Sequence, residues 1–238
     1  MKIGIMQPYF APYIGYISLI KHTDMFILFD SVQFIRHGWI ERNRVLKQNG
    51  GWIYIQVPLN NTSRDTHIKD MTINNTLEWK KKILAQLVPY KKKAPYYYKV
   101  LETINKVFER DYVSIVHLNK ALLKEIISYL GFQKELPVFS EMNLSIDIPK
   151  APDEWALNIC KVIGESATYI NPIGGLNFFD REKYNKNGID IYFQKMNLKT
   201  YDQRNILFES GLSIIDVMMF NSPEEINYML INMNWCDK

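Results

Sequence analysis

Hydrophobic positions in this chain form short continuous runs that alternate with helical stripes. The first run, at residues 2–6, ends at Gln7, and an almost wholly apolar stretch follows at 13–20. A second run at 25–29 ends at Asp30. Continuous runs of this length are typical of parallel strands covered on both faces, and a helix without a polar face is expected to be buried. The opening therefore predicts a strand, a tight turn, a buried helix and a second strand.

The rest of the chain continues the alternation around a helical block. Apolar and polar residues alternate with period two at 52–57, which predicts a strand closed by Pro58. Further predicted helices lie at 76–88, 97–108, 113–130, 152–163 and 180–184 and from 222 onward, and further strands at 137–140, 167–170 and 189–193. We therefore predict an α/β fold with a Rossmann-like parallel sheet flanked by helices. Residues 1–238 would form a single domain with a mainly helical insertion at about 76–131.

Several helix ends carry residues that favour them. Pro12 is expected at the first position of the first helix, and Thr76 is expected to cap the helix that follows it. Ser213 and Asp216 have the spacing of a capping box before an apolar helix. That local role accounts for both residues without any chemistry.

Composition narrows the class of protein. Hydrophobic residues make up 47% and the net charge is +4, which suits a folded protein with anionic small-molecule ligands. Two cysteines are too few for a disulfide framework or a zinc site, so we expect a reducing, cytoplasmic location. No apolar run reaches the length of a membrane span. The common nucleotide-binding, metalloprotease and serine-hydrolase motifs are absent, and the four histidines lack metal-ligand spacing, so we expect no metal.

A polar segment directly after the second predicted strand is the first candidate site. Ligands of open parallel sheets bind near the carboxyl ends of strands, and residues 36–44 combine three arginines with His37 and Trp39. Arginine recognises phosphate in a bidentate manner; the alternative is a solvated loop anchored by Trp39. The two lysine triplets at 80–82 and 91–93 indicate solvated helix surface rather than an RNA site.

Two further features are compatible with both site and structural roles. Asp30 ends a buried strand, where it would act either as a base or as a cap for the next segment. Asn171, Gly174 and Gly175 form a turn whose backbone N–H groups could hold an anion, although glycine pairs also form ordinary turns.

Long stretches of the chain resemble the WbqC-like family. The resemblance lies in MQPYFAPYIGY at 6–16, FDSVQF at 29–34, WIERNR at 39–44, YINP with the glycine pair at 169–175, and SIID with Asn221 at 213–221. It implies a cytoplasmic enzyme of O-antigen (lipopolysaccharide) or other surface-polysaccharide biosynthesis that transfers glycine to the amino group of a nucleotide-linked amino sugar. The donor would be glycine activated with ATP or glycine on a carrier such as tRNA. The sequence does not distinguish between these two donors.

A second, fainter resemblance concerns the turn at residues 12–16. It is similar to the P-x-H-x-G-H-type turn of nucleotidyltransferases and pantothenate-synthetase-like ligases, whose histidines stabilise ATP phosphates, and it implies a sheet of the same HUP type. Here Tyr13 and Tyr16 occupy the histidine positions around Gly15. Tyrosine carries no positive charge at neutral pH, which argues against adenylyl transfer by the usual route. The helix N-terminus still favours an anion.

These observations give each candidate residue a role. Asp30 or His37 would deprotonate the attacking amine. The predicted binding residues are Arg36, Arg42 and Arg44 for phosphate, Tyr9, Tyr13, Tyr16 and Trp39 as stacking walls, Gln7 and Asn43 for orientation, and Gly15, Gln33, Asn171, Gly174 and Gly175 nearby. The alternatives are a nucleotidyltransferase acting on a sugar or an acid, and a non-catalytic protein that binds nucleotide sugars.

Overall fold

A computed structural model describes residues 1–60, 63, 65–164, 166–204 and 207–236. Its strands are β1 (Lys2–Met6), β2 (Met25–Leu28), β3 (Arg42–Leu46), β4 (Trp52–Gln56), β5 (Thr168–Pro172), β6 (Asp190–Met196) and β7 (Met233–Cys236). Its helices are α1 (Ile14–His22), α2 (Trp79–Leu87), α3 (Tyr97–Phe108), α4 (Ile115–Tyr129), α5 (Glu154–Ile163), α6 (Arg181–Lys186), α7 (Ile214–Phe220) and α8 (Pro223–Ile231).

A five-stranded sheet in the order β2-β1-β5-β6-β7 forms the centre of the fold. The first four strands are parallel, and β7 pairs antiparallel with β6 at the edge. Strand β1 lies between β2, through pairs such as Ile5 with Ile27, and β5, through pairs such as Ile3 with Tyr169. The predicted α/β fold is confirmed, and the layout is Rossmann-like.

Apolar side chains cover both faces of this sheet, as the continuous apolar runs require. One core lies between the sheet and α1, α3, α4, α7 and α8, and it contains the fully buried Tyr16. The other core lies on the opposite face, where Ile3, Ile5 and Tyr169 pack against α5 and α6. The division into one domain with an insertion at 76–131 stays a prediction.

The segment after β2 differs from the predicted loop. Residues Arg42–Leu46 form strand β3, which pairs antiparallel with β4 in a separate two-stranded hairpin. Arg42 and Arg44 therefore share one face of the hairpin, because side chains alternate along a strand. The half-polar pattern of β3 explains why hydrophobicity alone did not reveal it.

Some predicted helix and strand ends are wrong. Tyr13, in an extended conformation, precedes the first residue of α1, so Pro12 lies outside the helix. Thr76 bonds to Asn74 instead of capping α2, which begins at Trp79. Residues 137–140 form only an isolated bridge and a 3₁₀ turn.

The start of α7 agrees in part with the predicted capping box, and α8 begins where the sequence predicts the last helix. Ser213 caps α7 by accepting a hydrogen bond from the N–H of Ile215 at 3.1 Å, but the side chain of Asp216 bonds to tyrosines and does not complete a capping box. Ser222 and Glu225 form a complete capping box at α8. Within the described ranges, no helix combines the length and apolarity that crossing a membrane requires.

Candidate functional site

A cleft of about 870 Å³ opens at the carboxyl ends of β1 and β5. The chain leaves β1 through α1 to reach β2 on one side, whereas β5 pairs on the other side of β1. The cleft therefore lies at the point where the strand order reverses, which is where open α/β sheets bind their ligands. Its volume is in the range of small-molecule sites.

The walls of this cleft are mainly aromatic. Tyr9, Phe29 and Trp155 line it together with Phe178 and Phe179. Phe29 and Trp155 pack on each other with ring centroids 5.2 Å apart. Rings of this kind offer faces for stacking against a base or a sugar. Burial raises the pKa of the Tyr9 hydroxyl above its ordinary value, which already lies well above neutral pH, so the group is a hydrogen-bond donor.

Besides the tyrosine hydroxyls, the polar side chains of the cleft are amides and one lysine. Gln7, Gln33, Asn171 and Lys150 line it. The side chain of Asn171 is held in place, because its Oδ1 accepts a hydrogen bond from the Tyr169 hydroxyl and its Nδ2 donates to the Pro172 carbonyl, both at 2.9 Å. Among the described lining residues there is no histidine and no carboxylate. The cleft therefore suits a ring with a few uncharged polar groups, and one lysine is available for an anion.

The structure places four sequence-predicted residues, Gln7, Tyr9, Gln33 and Asn171, in this cleft. Tyr16 lies beneath it: the side chain is fully buried, its hydroxyl donates to the Gln7 carbonyl at 2.9 Å, and its ring packs on Tyr9. Tyr16 therefore supports the cleft without reaching a ligand.

Three other predicted residues shape the neighbouring turn. Tyr13 lines a different, small apolar pocket beside the segment that precedes α7. Gly15 makes room for the Tyr13 ring, since a Cβ at Gly15 would lie 2.3 Å from that ring. Asn43 is buried and donates from Nδ2 to the Phe10 carbonyl at 3.1 Å, so it positions the turn.

The glycine pair after β5 forms a 3₁₀ turn at Ile173–Gly175. A Cβ at Gly175 would lie 2.0 Å from Nδ2 of Asn171, so glycine there allows the Asn171 side chain its position. Gly174 has open space around it. The anion cradle expected at these residues stays a prediction.

Asp30 is buried and its carboxylate is hydrogen-bonded to a neighbouring turn. It is 1% exposed, and its two carboxylate oxygens accept hydrogen bonds from the backbone N–H of Ser140 at 3.1 Å and from its hydroxyl at 2.6 Å. The carboxylate thereby fixes the 3₁₀ turn at Phe139–Glu141 and does not line the cleft. A catalytic role for Asp30 stays a prediction.

Arg36 and His37 lie on a second, smaller pocket of about 270 Å³, which we call the Glu41 pocket. It is lined by Phe34, Arg36, His37, Glu41, Gln56, Leu59 and Asn60. His37 adopts a positive φ of 62°, and its backbone N–H donates to Oε1 of Glu41 at 3.1 Å. The imidazole of His37 is thus outside the cleft, and its predicted role as a base is untested.

The remaining predicted arginines form a stack of cations and rings on the β3–β4 hairpin. The Arg42 guanidinium lies 4.0 Å from the Tyr54 ring centroid. Arg44 lies 5.1 Å from the Trp52 centroid and 5.6 Å from the Trp39 centroid. These residues do not line the cleft. The sequence did not reveal the stack, because the pairing register of β3 and β4 brings these residues together and that register is a feature of the folded hairpin.

Sequence reasoning missed the cleft residues that come from distant segments. Trp155 lies on α5 and Lys150 just before it, while Phe178 and Phe179 follow the glycine turn. The phenylalanine pair beside a candidate turn was a usable signal. Trp155 carried none, because it resembles any apolar residue of an amphipathic helix.

The fold and the cleft define an α/β protein with a cleft of small-molecule size at the switch point of a largely parallel sheet. The chain belongs to the WbqC-like protein family, whose sequence pattern matches residues 7–228. It is 25% identical over 231 residues to the uncharacterized protein Rv1507c of Mycobacterium tuberculosis (strain ATCC 25618 / H37Rv). The aligned region covers 96% of this chain and 97% of that protein. No solved structure matches the chain significantly. Membership in the family suggests a role in surface-polysaccharide biosynthesis and is consistent with an enzyme.

Proposed function

We propose that the protein transfers an aminoacyl group, glycine, to the amino group of a nucleotide-linked amino sugar in surface-polysaccharide biosynthesis. The observation that carries the proposal is the aromatic cleft of about 870 Å³ at the carboxyl ends of β1 and β5. Aromatic walls with a few fixed amides are typical of sites that hold a base or sugar ring. Family membership supplies the biosynthetic setting.

In this proposal the cleft residues bind and orient the acceptor. Tyr9 and Trp155 provide ring faces for the base or the sugar. Gln7 contacts sugar hydroxyls, since its side chain makes no hydrogen bond to a described residue, and Asn171 presents an amide already fixed by Tyr169. Lys150 lines the same cleft and is placed to neutralise a phosphate charge.

The proposed reaction is an acyl transfer to nitrogen. The neutral amine attacks the activated carboxyl carbon of glycine, a C–N bond forms, and the bond from that carbon to its leaving oxygen breaks. The nitrogen must also lose a proton. Because the described cleft lining holds no carboxylate or histidine, the proton passes to the leaving group or to water. The rate should then rise with pH through the titration of the sugar amine itself.

The experiment is mass spectrometry of reactions containing the protein, a dTDP-4-amino sugar and glycine, with either ATP or charged tRNA. A glycyl adduct of the sugar nucleotide in one arm supports the proposal and identifies the donor. Omission of each component is the control. If folded protein forms no glycyl adduct in either arm, this function is wrong for these substrates. Pyrophosphate release without an amide product would favour a nucleotidyltransferase.

A non-catalytic nucleotide-sugar binding protein is the second candidate. The absence of a histidine and of a carboxylate from the described cleft lining favours it. In that case the sugar nucleotide would bind to the wild type and to the Asp30→Asn and His37→Ala variants with equal affinity, and no donor would give turnover. A base role for either residue instead predicts normal binding with a loss of turnover in that variant.

A further inference from the structure

Glu41 is a buried carboxylate with one unsatisfied oxygen. The residue is 4% exposed, and Oε1 accepts the backbone N–H of His37 at 3.1 Å. Oε2 has no hydrogen-bond partner among the described residues. Buried charged oxygens are normally paired with a cation or with hydrogen-bond donors, because leaving one unpaired costs several kcal/mol. Oε2 therefore lacks a donor among the described residues, and a positively charged donor would offset the cost of its burial.

The neighbouring arginine does not provide that donor. Arg42 donates from Nη2 to the His37 carbonyl at 2.5 Å, and its guanidinium lies over the Tyr54 ring. Among the described residues, Arg42 and Glu41 form no ion pair. Burial raises the pKa of Glu41, although nearby backbone amides and the charge of Arg42 oppose the rise. The carboxylate is thus in an environment that an additional cation would stabilise.

The rest of the Glu41 pocket has the opposite character. Arg36 and His37 line it with Gln56 and Asn60, so a guanidinium, an imidazole and two amides share the lining with Glu41. The volume of about 270 Å³ is below the usual range for drug-sized ligands. A small molecule that carries both charges complements such a pocket better than a simple anion, which Glu41 would repel, or a simple cation, which Arg36 would repel.

The pocket also lies beside the proposed acceptor site. Gln33 and Ile35 line the large cleft, whereas Phe34 and Arg36 line the Glu41 pocket. Alternate residues of one segment therefore form a wall of each site. A ligand in the pocket is separated from the cleft by that single segment.

From these observations we infer that the Glu41 pocket binds a small free amino acid, with the ammonium group on the carboxylate of Glu41 and the carboxylate group towards Arg36 and His37. The identity of the amino acid as glycine rests on the proposed function; binding itself requires no reaction. A pocket for a free carboxylate fits a donor that enters as the amino acid rather than as an ester on a carrier.

The test is a calorimetric titration of the unliganded protein with glycine. The Glu41→Gln variant keeps the size and the oxygen that accepts the His37 N–H, but it removes the negative charge. We expect saturable glycine binding to the wild type and a loss of about tenfold or more in affinity in the variant, because a charge-assisted hydrogen bond is removed. Glu102→Gln, which alters an exposed carboxylate paired with Lys106, is the matched control and should bind as the wild type does.

Analogues keep the test valid if Glu41→Gln does not fold. With the wild type, N,N,N-trimethylglycine, acetate and methylamine should each bind at least about tenfold more weakly than glycine, because each lacks one charged group or the N–H donors. Equal affinity for glycine and its trimethylated form, or no glycine binding, overturns the inference. Glycine binding that depends on Glu41 without any transfer product would retain the pocket and reject the proposed function. Transfer with an unchanged KM for glycine in Glu41→Gln would do the reverse.

Discussion

The buried carboxylate of Asp216 connects separate parts of the fold through hydrogen bonds. Its Oδ1 accepts from the Tyr90 hydroxyl at 2.5 Å, and its Oδ2 accepts from the Tyr201 hydroxyl at 2.5 Å and from Nε2 of Gln203 at 3.1 Å. The Tyr90 hydroxyl in turn accepts from the backbone N–H of Leu46 at 2.7 Å. The hairpin, the 3₁₀ turn after α2 and the segment before α7 are joined at this one side chain.

Burial makes the ionisation of Asp216 costly. It raises the pKa from 3.8 to about 6, although the hydrogen bonds from Tyr201, Tyr90 and Gln203 oppose the rise. Because the folded pKa exceeds the unfolded one, protonation of Asp216 stabilises the fold. This contribution is fully present below about pH 4 and is lost as the pH rises through about 6. The difference between the two pKa values corresponds to about 3 kcal/mol.

Tyr201→Phe is the perturbation that exploits this dependence. The ring, which packs on Phe208 and Phe220 at centroid distances of 5.2 and 6.4 Å, is retained, and only the hydroxyl is lost. Above the pKa of Asp216 the lost bond is to a charged acceptor and should cost about 1.5–3 kcal/mol, whereas below it the bond is neutral and should cost about 0.5–1.5 kcal/mol. The variant should therefore be destabilised more at high pH, by about 1 kcal/mol.

Urea unfolding of wild type and variant at about pH 5 and about pH 8 measures this difference. Tyr228→Phe is the control, because Tyr228 is 61% exposed and contacts Lys199 only through its ring. It should change the free energy of unfolding at neither pH. An equal destabilisation of Tyr201→Phe at both pH values would refute the account of Asp216 as a buried group that is ionised only at the higher pH.

Two further variants test single buried contacts by urea unfolding. Ser140→Ala removes the hydroxyl donor to Asp30, and we expect a loss of about 1.5–3 kcal/mol in the free energy of unfolding; unchanged stability would mean that this bond is not made. Asn119→Ala leaves the carbonyls of Pro8 and Ile40 without the donor that now holds both, so a loss of about 2 kcal/mol is expected. Wild-type stability in Asn119→Ala would contradict this assignment.

The first part of the fold could be predicted because its signals are local. The apolar runs of β1 and β2 and the apolar residues of α1 each report burial on both sides, and the structure confirms all three elements. The end of α4 is a local signal as well, because Gly131 follows the helix with a φ of 80°, a conformation that favours glycine. Strand β7 was missed, because its half-exposed residues produce no such run.

Candidate site residues could be predicted where they directly follow a strand, but not where tertiary packing brings them to the site. Gln7 and Tyr9 follow β1, so chain order alone placed them at the carboxyl edge of the sheet, in the cleft. Glu41 attracted no attention, since burial of a carboxylate in a charged segment depends on tertiary packing. Trp155 reaches the cleft from α5, far away in the chain. The sequence could not show that proximity.

The most direct test of the central proposal is the steady-state kcat/KM for glycyl transfer to the sugar nucleotide in Gln7→Ala. Gln7 lines the cleft, and its side chain makes no hydrogen bond to a described residue, so its loss should leave the fold intact. We expect kcat/KM to fall by about tenfold, as for a lost substrate hydrogen bond, and to stay at the wild-type value in Gln48→Ala, which alters an exposed glutamine outside the cleft. Wild-type kcat/KM in Gln7→Ala would contradict a sugar-nucleotide site in the cleft between β1 and β5.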